Sequence, residues 1–301
     1  MTTNDADSPP LLDVREESRF VVGHAPGAAN IPLEELPRRA HELPPKGSAL
    51  RLFDDDASRW NTAAAWLRRR GYTVEEASLW PPDPAGTGAS RSRLWRPNPL
   101  LVEALVILEP ACREGRSDAD GPPTRRALDL ACGSGRDAVY LALHGWAVDA
   151  IDVLPDALER AADLARRCGV AVNTMRQDLR RESALPEGSY TLVVVMRFFH
   201  RPLLPTVRRS VAPGGFALCE AFHESDAGPA GTRGPTGARG PTGGARRLRS
   251  SHLARDGELA TAFEGFDVLL ARDGVQRDGR RFSQLLARRR PHQSPAPALP
   301  D

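Results

Sequence analysis

The sequence predicts an α/β protein built from two domains, and three observations support this prediction. The chain has 301 residues, which at about 150 residues per domain corresponds to two domains. Short apolar runs typical of strands alternate with helical patterns in both halves of the chain. A segment rich in proline and glycine, residues 81–88, separates the two halves, and such a composition ends regular secondary structure.

The composition is that of an ordinary globular protein and excludes several other classes. Hydrophobic residues make up 41% of the chain and charged residues 27%, which are typical values. The formal net charge of +2 gives no general attraction to nucleic acid. No apolar run approaches the roughly 18 residues of a membrane-spanning helix, and the polar, acidic start MTTNDADSPP does not resemble a signal peptide. We therefore expect a cytoplasmic protein that binds neither nucleic acid nor a membrane.

The cysteines indicate a chain without disulfides or structural zinc. There are four, Cys112, Cys132, Cys168 and Cys219, and none lies in the first 111 residues. Their spacing fits neither a disulfide framework nor a zinc site. Cys132 and Cys219 are most simply interpreted as small core residues. The sequence predicts no metal site.

The amino-terminal part predicts a small α/β unit, and the remainder predicts a larger one. In the small unit we expect strands at 10–14 and 49–53 and a helix at 61–70. In the larger unit, repeated strand–helix alternation favours a mainly parallel sheet covered on both faces. Its expected strands are 126–131, 147–153, 171–177, 190–196, 216–222, 266–271 and 282–288, and its expected helices are 136–144, 155–168 and 202–211, the last of which is stopped by Pro213-Gly214-Gly215.

Three further segments resemble loops more than regular elements. Residues 114–123 are charged and contain glycine. From Gly228 to Gly243 glycine recurs at every third position, which is the period of collagen. This run is too short for a triple helix, and we interpret it as a flexible low-complexity loop. The proline-rich tail, residues 291–301, is expected to be disordered.

A glycine turn and several acidic residues fall at the ends of the predicted strands of the larger unit. Gly133-Ser134-Gly135 follows the first of these strands and opens a helix. Ligands of open α/β sheets bind at the carboxyl ends of the strands, and glycine lets the backbone approach a ligand closely. Asp129 precedes the turn, Asp152 ends the next strand, and Asp178 ends the one after it. The turn alone also fits a nicotinamide-binding fingerprint or a purely structural turn.

The whole constellation resembles class I S-adenosylmethionine-dependent methyltransferases, over roughly residues 92–290. The landmarks are Leu128 to Gly135, Asp152, Asp178 and Pro213-Gly214-Gly215, which fall in the order of that family. Ala131 departs from it, because many relatives carry glycine there. The resemblance implies a Rossmann-like sheet of seven strands and the cofactor S-adenosyl-L-methionine. It also implies that the final strand, 282–288, is antiparallel and inserted between the fifth and sixth strands, whereas a nicotinamide-dependent oxidoreductase would lack this arrangement.

The resemblance further implies a set of site residues. Asp129, Gly133 and Gly135 would line the methionine part of the cofactor, Asp152 would hold the ribose, and Asp178 would meet the adenine amino group. The full set implied for the cofactor is Asp129, Cys132, Gly133, Ser134, Gly135, Asp152, Val153, Asp178, Leu179 and Met196, with Trp95 as a lid residue unless it only packs.

Residues 190–209 and the following APGG resemble the small-molecule branch of the superfamily, near the tellurite-resistance and thiopurine-type enzymes. The methyl acceptor, a small molecule, would enter after the fourth strand, beside Arg197, Phe198 and His200. His200 is the candidate base, although the sequence favours a helix-capping or solvated histidine, and Arg197 is the second catalytic candidate. His223 and Glu220 are further, lesser candidates.

The amino-terminal segment resembles a rhodanese domain, over about residues 8–80. The residues that carry this resemblance are Leu11 to Glu16 and Gly23 to Pro32. Aligning Arg59 with the arginine of the family's active-site loop places Asp54 at the position of the nucleophilic cysteine and Ala57 at that of the loop glycine. A carboxylate cannot form a persulfide, and the run Asp54-Asp55-Asp56 would repel an anionic substrate. The resemblance therefore implies a catalytically inert domain that serves as scaffold or as a contact for a protein partner; cation binding by the aspartates is a remote alternative.

These predictions divide the chain into a rhodanese-like domain at 1–80, a linker at 81–91, a methyltransferase domain at 92–290 with a low-complexity insertion at 225–248, and a tail at 291–301. Two alternatives stay open on the sequence: a nicotinamide-dependent oxidoreductase, and a non-enzymatic binding protein in which both domains are degenerate.

Overall fold

The computed structural model describes residues 8–76, 86–111, 125–181, 185, 190–224, 252–275 and 281–291. The chain divides into two compact units, Met1–Arg96 and Pro97–Asp301. The predicted loop at 114–123, the glycine-triplet run and residues 292–301 lie outside the described residues.

The first unit is a small four-stranded sheet with helices. Its strands pair in the order β2-β1-β3-β4, and each pair is parallel. The predicted strands at 10–14 and 49–53 are present. The predicted helix at 61–70 begins four residues earlier, because the Asp56 carboxylate accepts the backbone N–H of Arg59 at 2.9 Å and so caps the helix. The elements are β1 (Leu11–Asp13), α1 (Glu17–Val22), β2 (Ala29–Asn30), β3 (Ala49–Phe53), α2 (Ala57–Arg68) and β4 (Thr73–Glu76), with 3₁₀ turns at Leu33–Glu35 and Ala40–Glu42.

The second unit alternates strands and helices, as the sequence predicts. Helix α5 begins with a proline at its first turn, where the missing N–H is harmless. The elements are α3 (Pro99–Ala111), β5 (Arg126–Leu130), α4 (Arg136–Leu143), β6 (Ala147–Asp152), α5 (Pro155–Arg167), β7 (Asn173–Arg176), β8 (Tyr190–Met196), α6 (Leu204–Ser210), β9 (Val211–Phe222), α7 (Glu258–Ala262), β10 (Phe266–Val275) and β11 (Arg281–Arg289), with a 3₁₀ turn at Arg201–Leu203.

The sheet of the second unit has seven strands in the order β10-β11-β9-β8-β5-β6-β7. The five neighbouring strands β9, β8, β5, β6 and β7 are parallel. Strand β11 is antiparallel to both of its neighbours, β9 and β10. The prediction that the final strand is inserted between the fifth and sixth in antiparallel orientation is confirmed.

The segment before the fifth strand differs from its prediction. The sequence predicts that Pro213-Gly214-Gly215 ends a helix and precedes a strand at 216–222, whereas β9 already begins at Val211. The strand absorbs the three residues because the pairing with β8 shifts register between Tyr190 and Leu192. Gly214 adopts a φ of 76°, and a Cβ at Gly215 would lie 2.9 Å from the carbonyl oxygen of Thr191.

Two apolar clusters cover the two faces of this sheet. One contains Leu128, Val193 and Phe263, and the other contains Leu101, Leu192 and Leu286. The alternation of Leu192 and Val193 between the clusters follows from the opposite orientation of successive side chains in a strand. The carboxyl ends of the parallel strands, which carry the predicted polar site residues, lie together at one edge of the sheet. In the described part of the chain, no helix has the length and apolarity needed to cross a membrane.

Candidate functional site

The turn between β5 and α4 lies at the carboxyl edge of the sheet and has an unusual backbone. Ala131, Gly133 and Gly135 have φ angles of 58°, 56° and 77°. This left-handed region suits glycine, and a residue with a Cβ pays about 1–2 kcal/mol there. Ala131 occupies the position at which the resemblance expects glycine, so the alanine bears this cost.

The two glycines of the turn serve different purposes. A Cβ on Gly133 would have no heavy atom within 4 Å, which leaves open space at the edge of the sheet. A Cβ on Gly135 would lie 2.5 Å from the Cβ of Ala161 in α5. The sequence-based view that both glycines admit a ligand therefore fits Gly133, whereas Gly135 is required for packing between the turn and α5.

Asp152 ends β6 and is tied to the same turn. Its Oδ2 accepts the backbone N–H of Gly133 at 2.9 Å, and its Oδ1 accepts the N–H of Leu154 at 2.9 Å. The carboxylate is buried, but Val153 and Leu154 beside it are 46% and 54% exposed. An acidic group held by backbone N–H groups thus lies next to an exposed apolar surface.

Two more carboxyl groups lie close to the turn: Asp129 is buried and Asp137 is half-buried. Asp129 is 2% exposed, and its Oδ2 has no hydrogen-bond partner among the described residues. Burial and the nearby Asp137 raise the pKa of Asp129 well above its usual range. Burial also raises the pKa of Asp137, despite a hydrogen bond from the backbone N–H of Asn98. Negative charge is therefore unfavourable here unless a cation balances it.

A hydrogen-bond network that sequence reasoning missed connects this site to β9. The Asn98 backbone N–H donates to Asp137 Oδ1 at 2.7 Å, and its side-chain amide donates to Glu220 Oε1 at 2.7 Å. The other oxygen of Glu220 accepts from Gln284 at 2.6 Å. Glu220 is fully buried. A single acid within the apolar run FALCEAF is the sequence signal that could have predicted its place in a hydrogen-bond network.

Arg197 follows β8 at the same edge and has a left-handed backbone with a φ of 58°. Its backbone N–H donates to the carbonyl of Glu220 at 2.7 Å, and its Nε donates to Glu220 Oε1 at 3.1 Å. The side chain is 46% exposed. The Arg197 guanidinium is therefore about half accessible to solvent although it is hydrogen-bonded to Glu220.

The remaining acceptor-side candidates are less well defined by their contacts. His200 and Phe198 are half-buried, and His200 precedes the 3₁₀ turn without a side-chain capping hydrogen bond. Its role as a base stays a prediction.

The other predicted cofactor residues differ in their exposure. Asp178 follows β7 and accepts the backbone N–H of Arg180 at 3.1 Å, whereas Leu179 is buried in the core. Met196, at the end of β8, and Ser134 are half-buried. Trp95 belongs to the first unit and is 5% exposed, as expected of a residue that packs.

Cys132 in the glycine turn has the properties of a neutral thiol. Burial raises its pKa, and Asp129 and Asp152 raise it further. Burial likewise raises the pKa of Cys219 to about 12. Neither thiol is therefore a ready nucleophile.

In the first unit, each aspartate of the loop after β3 already has a charged or backbone partner. Asp54, whose side chain is fully buried, is 3.2 Å from Arg59 Nε. Asp55 is 2.7 Å from Arg19 Nη2, and Asp56 caps α2. Arg59 is engaged in addition by Glu34 at 2.6 Å. These pairs argue against the remote alternative that the aspartates form a cation site.

Comparison with known proteins finds a family model that matches part of each unit. A family model described as a rhodanese-like domain matches residues 2–78, and one described as a methyltransferase domain matches residues 127–215. The chain is 27% identical over 179 residues to the uncharacterized protein UNK4.09 of Schizosaccharomyces pombe, which covers 53% of this chain and 50% of the relative. It is 33% identical over 112 residues to the uncharacterized methyltransferase sll0829 of Synechocystis sp., which covers 35% of this chain and 50% of the relative.

The chain thus spans about half the length of these curated relatives. Among solved structures, it is similar to TehB from Haemophilus influenzae, with 18% identity and a TM-score of 0.46 over 63% of this chain and 61% of that chain.

Proposed function

Since the chain joins a rhodanese-like domain to a methyltransferase domain, we propose that it transfers a methyl group from S-adenosylmethionine to a small molecule. The amino-terminal domain, inactive in sulfur transfer, would serve as a scaffold or an interaction module. The observation that carries the proposal is the antiparallel β11 between β9 and β10, because this arrangement separates the methyltransferase alternative from the nicotinamide-dependent one.

The charge of the site suits the proposed cofactor. S-adenosylmethionine carries a sulfonium and an ammonium group against one carboxylate, so it is a net cation. The buried Asp129 carboxyl has an oxygen without a partner among the described residues, and its pKa is raised, chiefly by burial and then by the nearby Asp137. A cation beside it would stabilise the ionised form. The open space at Gly133 leaves room for a ligand close to the backbone.

We assign distinct roles to the residues along the carboxyl edge. Asp152 would accept hydrogen bonds from ribose hydroxyls while its backbone contacts keep it oriented. The exposed side chains of Val153 and Leu154 would contact the apolar face of an adenine ring, and Asp178 would accept from its amino group. Gly133 and Asp129 would hold the methionine part.

When bound, S-adenosylmethionine supplies an already activated methyl group, so this chain mainly has to bind, orient and exclude water. Arg197 lies where an acceptor would enter and can orient an anionic group of the acceptor. A base such as His200 is needed only if the acceptor must lose a proton. Fusion to a fold that handles sulfur suggests a sulfur or chalcogen acceptor.

Inactivity of the rhodanese-like domain is supported by what replaces its nucleophile. A persulfide requires a thiol, and the first 111 residues contain no cysteine. Asp54, at the corresponding position, is buried and paired with Arg59. An open cavity of about 560 Å³ beside this loop is lined by residues that include Arg15, Arg19 and Phe53, which leaves a surface for binding without chemistry.

The proposal is tested by calorimetry with S-adenosylmethionine and with NADH. We expect saturable binding of the first and none of the second, and the reverse result would contradict the methyltransferase assignment. Release of S-adenosylhomocysteine is then measured over a panel of small thiols, metalloids and amines. Cofactor binding without turnover on any of them would favour the remaining alternative, a non-enzymatic binding protein.

Asp152 provides a sharper test of the ribose contact. Asp152→Ala removes a charged hydrogen-bond acceptor, and we expect the affinity for S-adenosylmethionine to fall by about 1–3 kcal/mol. Because Asp152 also holds Gly133 and Leu154, thermal unfolding of the free variant is recorded alongside. Asp156→Ala, an exposed acid in the first turn of α5, is the matched control. Unchanged affinity in Asp152→Ala would contradict the assignment.

A further inference from the structure

Three potential metal ligands from separate segments converge beyond the carboxyl end of β9. They are the imidazole of His223, which directly follows β9, and the carboxylates of Asp256, before α7, and Asp273, on β10. One ligand atom of each lies within 4.8 Å of the other two, and His223 Nε2 is 3.0 Å from Asp256 Oδ1. None of the three has a role in the proposed methyl transfer.

We propose that His223, Asp256 and Asp273 form a binding site for one divalent transition-metal ion, such as Mn²⁺ or Zn²⁺. An imidazole suits zinc, iron and nickel, and carboxylates suit manganese and magnesium, so one nitrogen with two oxygens favours the metals that accept both. The sequence predicts no metal site, because these ligands are separated by 33 and 17 positions and match no compact spacing motif.

The backbone fixes two of the three ligands. The N–H of His223 donates to the carbonyl of Arg281 at 3.1 Å, and the N–H of Glu224 donates to Ala254 at 2.8 Å, so His223 is held between two chain segments. Asp273 lies in a regular strand, and its Oδ2 accepts the N–H of Gly257 at 3.3 Å. A ligand set that is already in place loses little freedom when an ion binds.

Burial differs among the ligands in the way that an accessible metal site requires. The His223 side chain is 4% exposed, whereas that of Asp256 is 83% exposed. Metal–ligand bonds of about 2.0–2.2 Å place ligand atoms closer together than the 4.8 Å limit within which these three atoms lie. The exposed Asp256 has room for that adjustment, and the open side leaves positions for water.

A simple ion pair between His223 and Asp256 does not account for the third group. Asp273 accepts one N–H, from Gly257 at 3.3 Å, but its carboxylate also lies close to that of Asp256, and two neighbouring carboxylates repel one another to an extent that solvent at these exposed groups only weakens. One protonated imidazole supplies a single charge, whereas a divalent cation supplies two. A contribution of Asp273 to metal binding therefore distinguishes a metal site from a simple ion pair between His223 and Asp256.

The test is a titration of the metal-stripped full-length chain with Mn²⁺. The electron paramagnetic resonance signal of the free Mn²⁺ ion reports how much of the added metal remains unbound. Manganese has low affinity for thiols, so the free cysteines interfere little. We expect one Mn²⁺ per chain, displaced by Zn²⁺. Asp273→Asn and Asp256→Asn should each weaken binding at least tenfold, and Asp256, being exposed, can be changed without disturbing the core.

The matched control is Asp267→Asn. Asp267 is another exposed carboxylate of β10, and it pairs with Arg290 at 2.8 Å. His223→Gln removes the imidazole while retaining a polar side chain of similar volume, and it should also weaken binding at least tenfold. The proposal is overturned if the chain binds no Mn²⁺ saturably, or if Asp256→Asn and Asp273→Asn bind it as tightly as the control does. None of these outcomes depends on cofactor binding or methyl transfer.

Discussion

At the residue scale, the buried Asp129 makes a prediction about pH. Its pKa is raised in the folded protein, chiefly by burial and then by Asp137. The protonated form is therefore favoured in the free protein above the usual aspartate pKa of about 4. The stabilising contribution of the protonated group is complete below the unfolded pKa and is lost as the pH rises through the folded pKa.

A cationic cofactor reverses this preference, because it stabilises the ionised carboxylate. We therefore expect the affinity for S-adenosylmethionine to increase as the pH rises through the folded pKa of Asp129, with release of a proton on binding. Calorimetry in two buffers of different ionisation enthalpy measures the released proton directly.

The variant Asp129→Asn should bind the cofactor at least tenfold more weakly, or by about 1.5 kcal/mol, because a charged hydrogen-bond acceptor is lost. It should also release no proton on binding. Asp163→Asn, a carboxyl on α5 that pairs with Arg166 at 3.2 Å, controls for a change in net charge. A wild-type affinity that is independent of pH would contradict this role for Asp129.

The site residues that sequence could identify are those inside compact motifs. Asp129 and the glycine turn occur within eight consecutive positions, so the local pattern pointed to them. Asn98 and Glu220 are 122 positions apart and meet through one hydrogen bond of 2.7 Å. Only the folded chain brings such residues together, so no local pattern reveals their partnership.

At the scale of elements, the contact between the glycine turn and α5 makes the next prediction. Gly135→Ala should destabilise the protein for two reasons. The residue has a φ of 77°, which costs about 1–2 kcal/mol for a residue with a Cβ. The added methyl would also lie 2.5 Å from the Cβ of Ala161, and such overpacking costs about another 1–3 kcal/mol.

Gly145→Ala is the matched control for this substitution. Gly145 has a φ of 80°, and a Cβ there would meet no heavy atom within 4 Å, so only the backbone cost applies. Urea unfolding of both variants isolates the packing cost as the difference. Addition of Ala161→Gly to Gly135→Ala should recover part of it. Equal destabilisation of Gly135→Ala and Gly145→Ala would show that the turn does not require this close approach.

The elements themselves were largely predictable, and the exceptions have physical causes. Strand β8 was predicted at its observed bounds because YTLVVVM is a continuous apolar run between polar segments. Strand β9 was predicted five residues too short, because proline and glycines normally end regular structure, and here a register shift accommodates them. The start of α2 depends on the cap formed by Asp56, a local contact with the backbone N–H of Arg59 that the apolar pattern of the helix does not include.

At the scale of the whole molecule, the two units divide the chemistry of the chain unequally. The first unit contains neither a cysteine nor, in the loop after β3, an aspartate without a partner. The second contains the acidic edge that suits a cationic cofactor. The length predicted two domains, but length carries no information on which of them retains a reaction.

This division predicts that the full-length chain releases no thiocyanate when it is supplied with thiosulfate and cyanide. The prediction extends to Asp54→Cys, which restores a thiol at the position of the nucleophile. The side chain at this position is fully buried, so thiosulfate cannot reach it. Burial is also the main influence that raises the pKa of the Asp54 carboxyl, and the same burial raises the pKa of a thiol placed there and disfavours the thiolate that must attack.

The same preparation assayed for binding of S-adenosylmethionine provides the control, because Asp54→Cys should leave that binding unchanged. Thiocyanate formation by the wild-type chain would contradict inactivity of the domain altogether. Its formation by Asp54→Cys alone would mean that the missing cysteine is the sole defect. Its absence from both is the expected result and agrees with a nucleophile position whose side chain is buried.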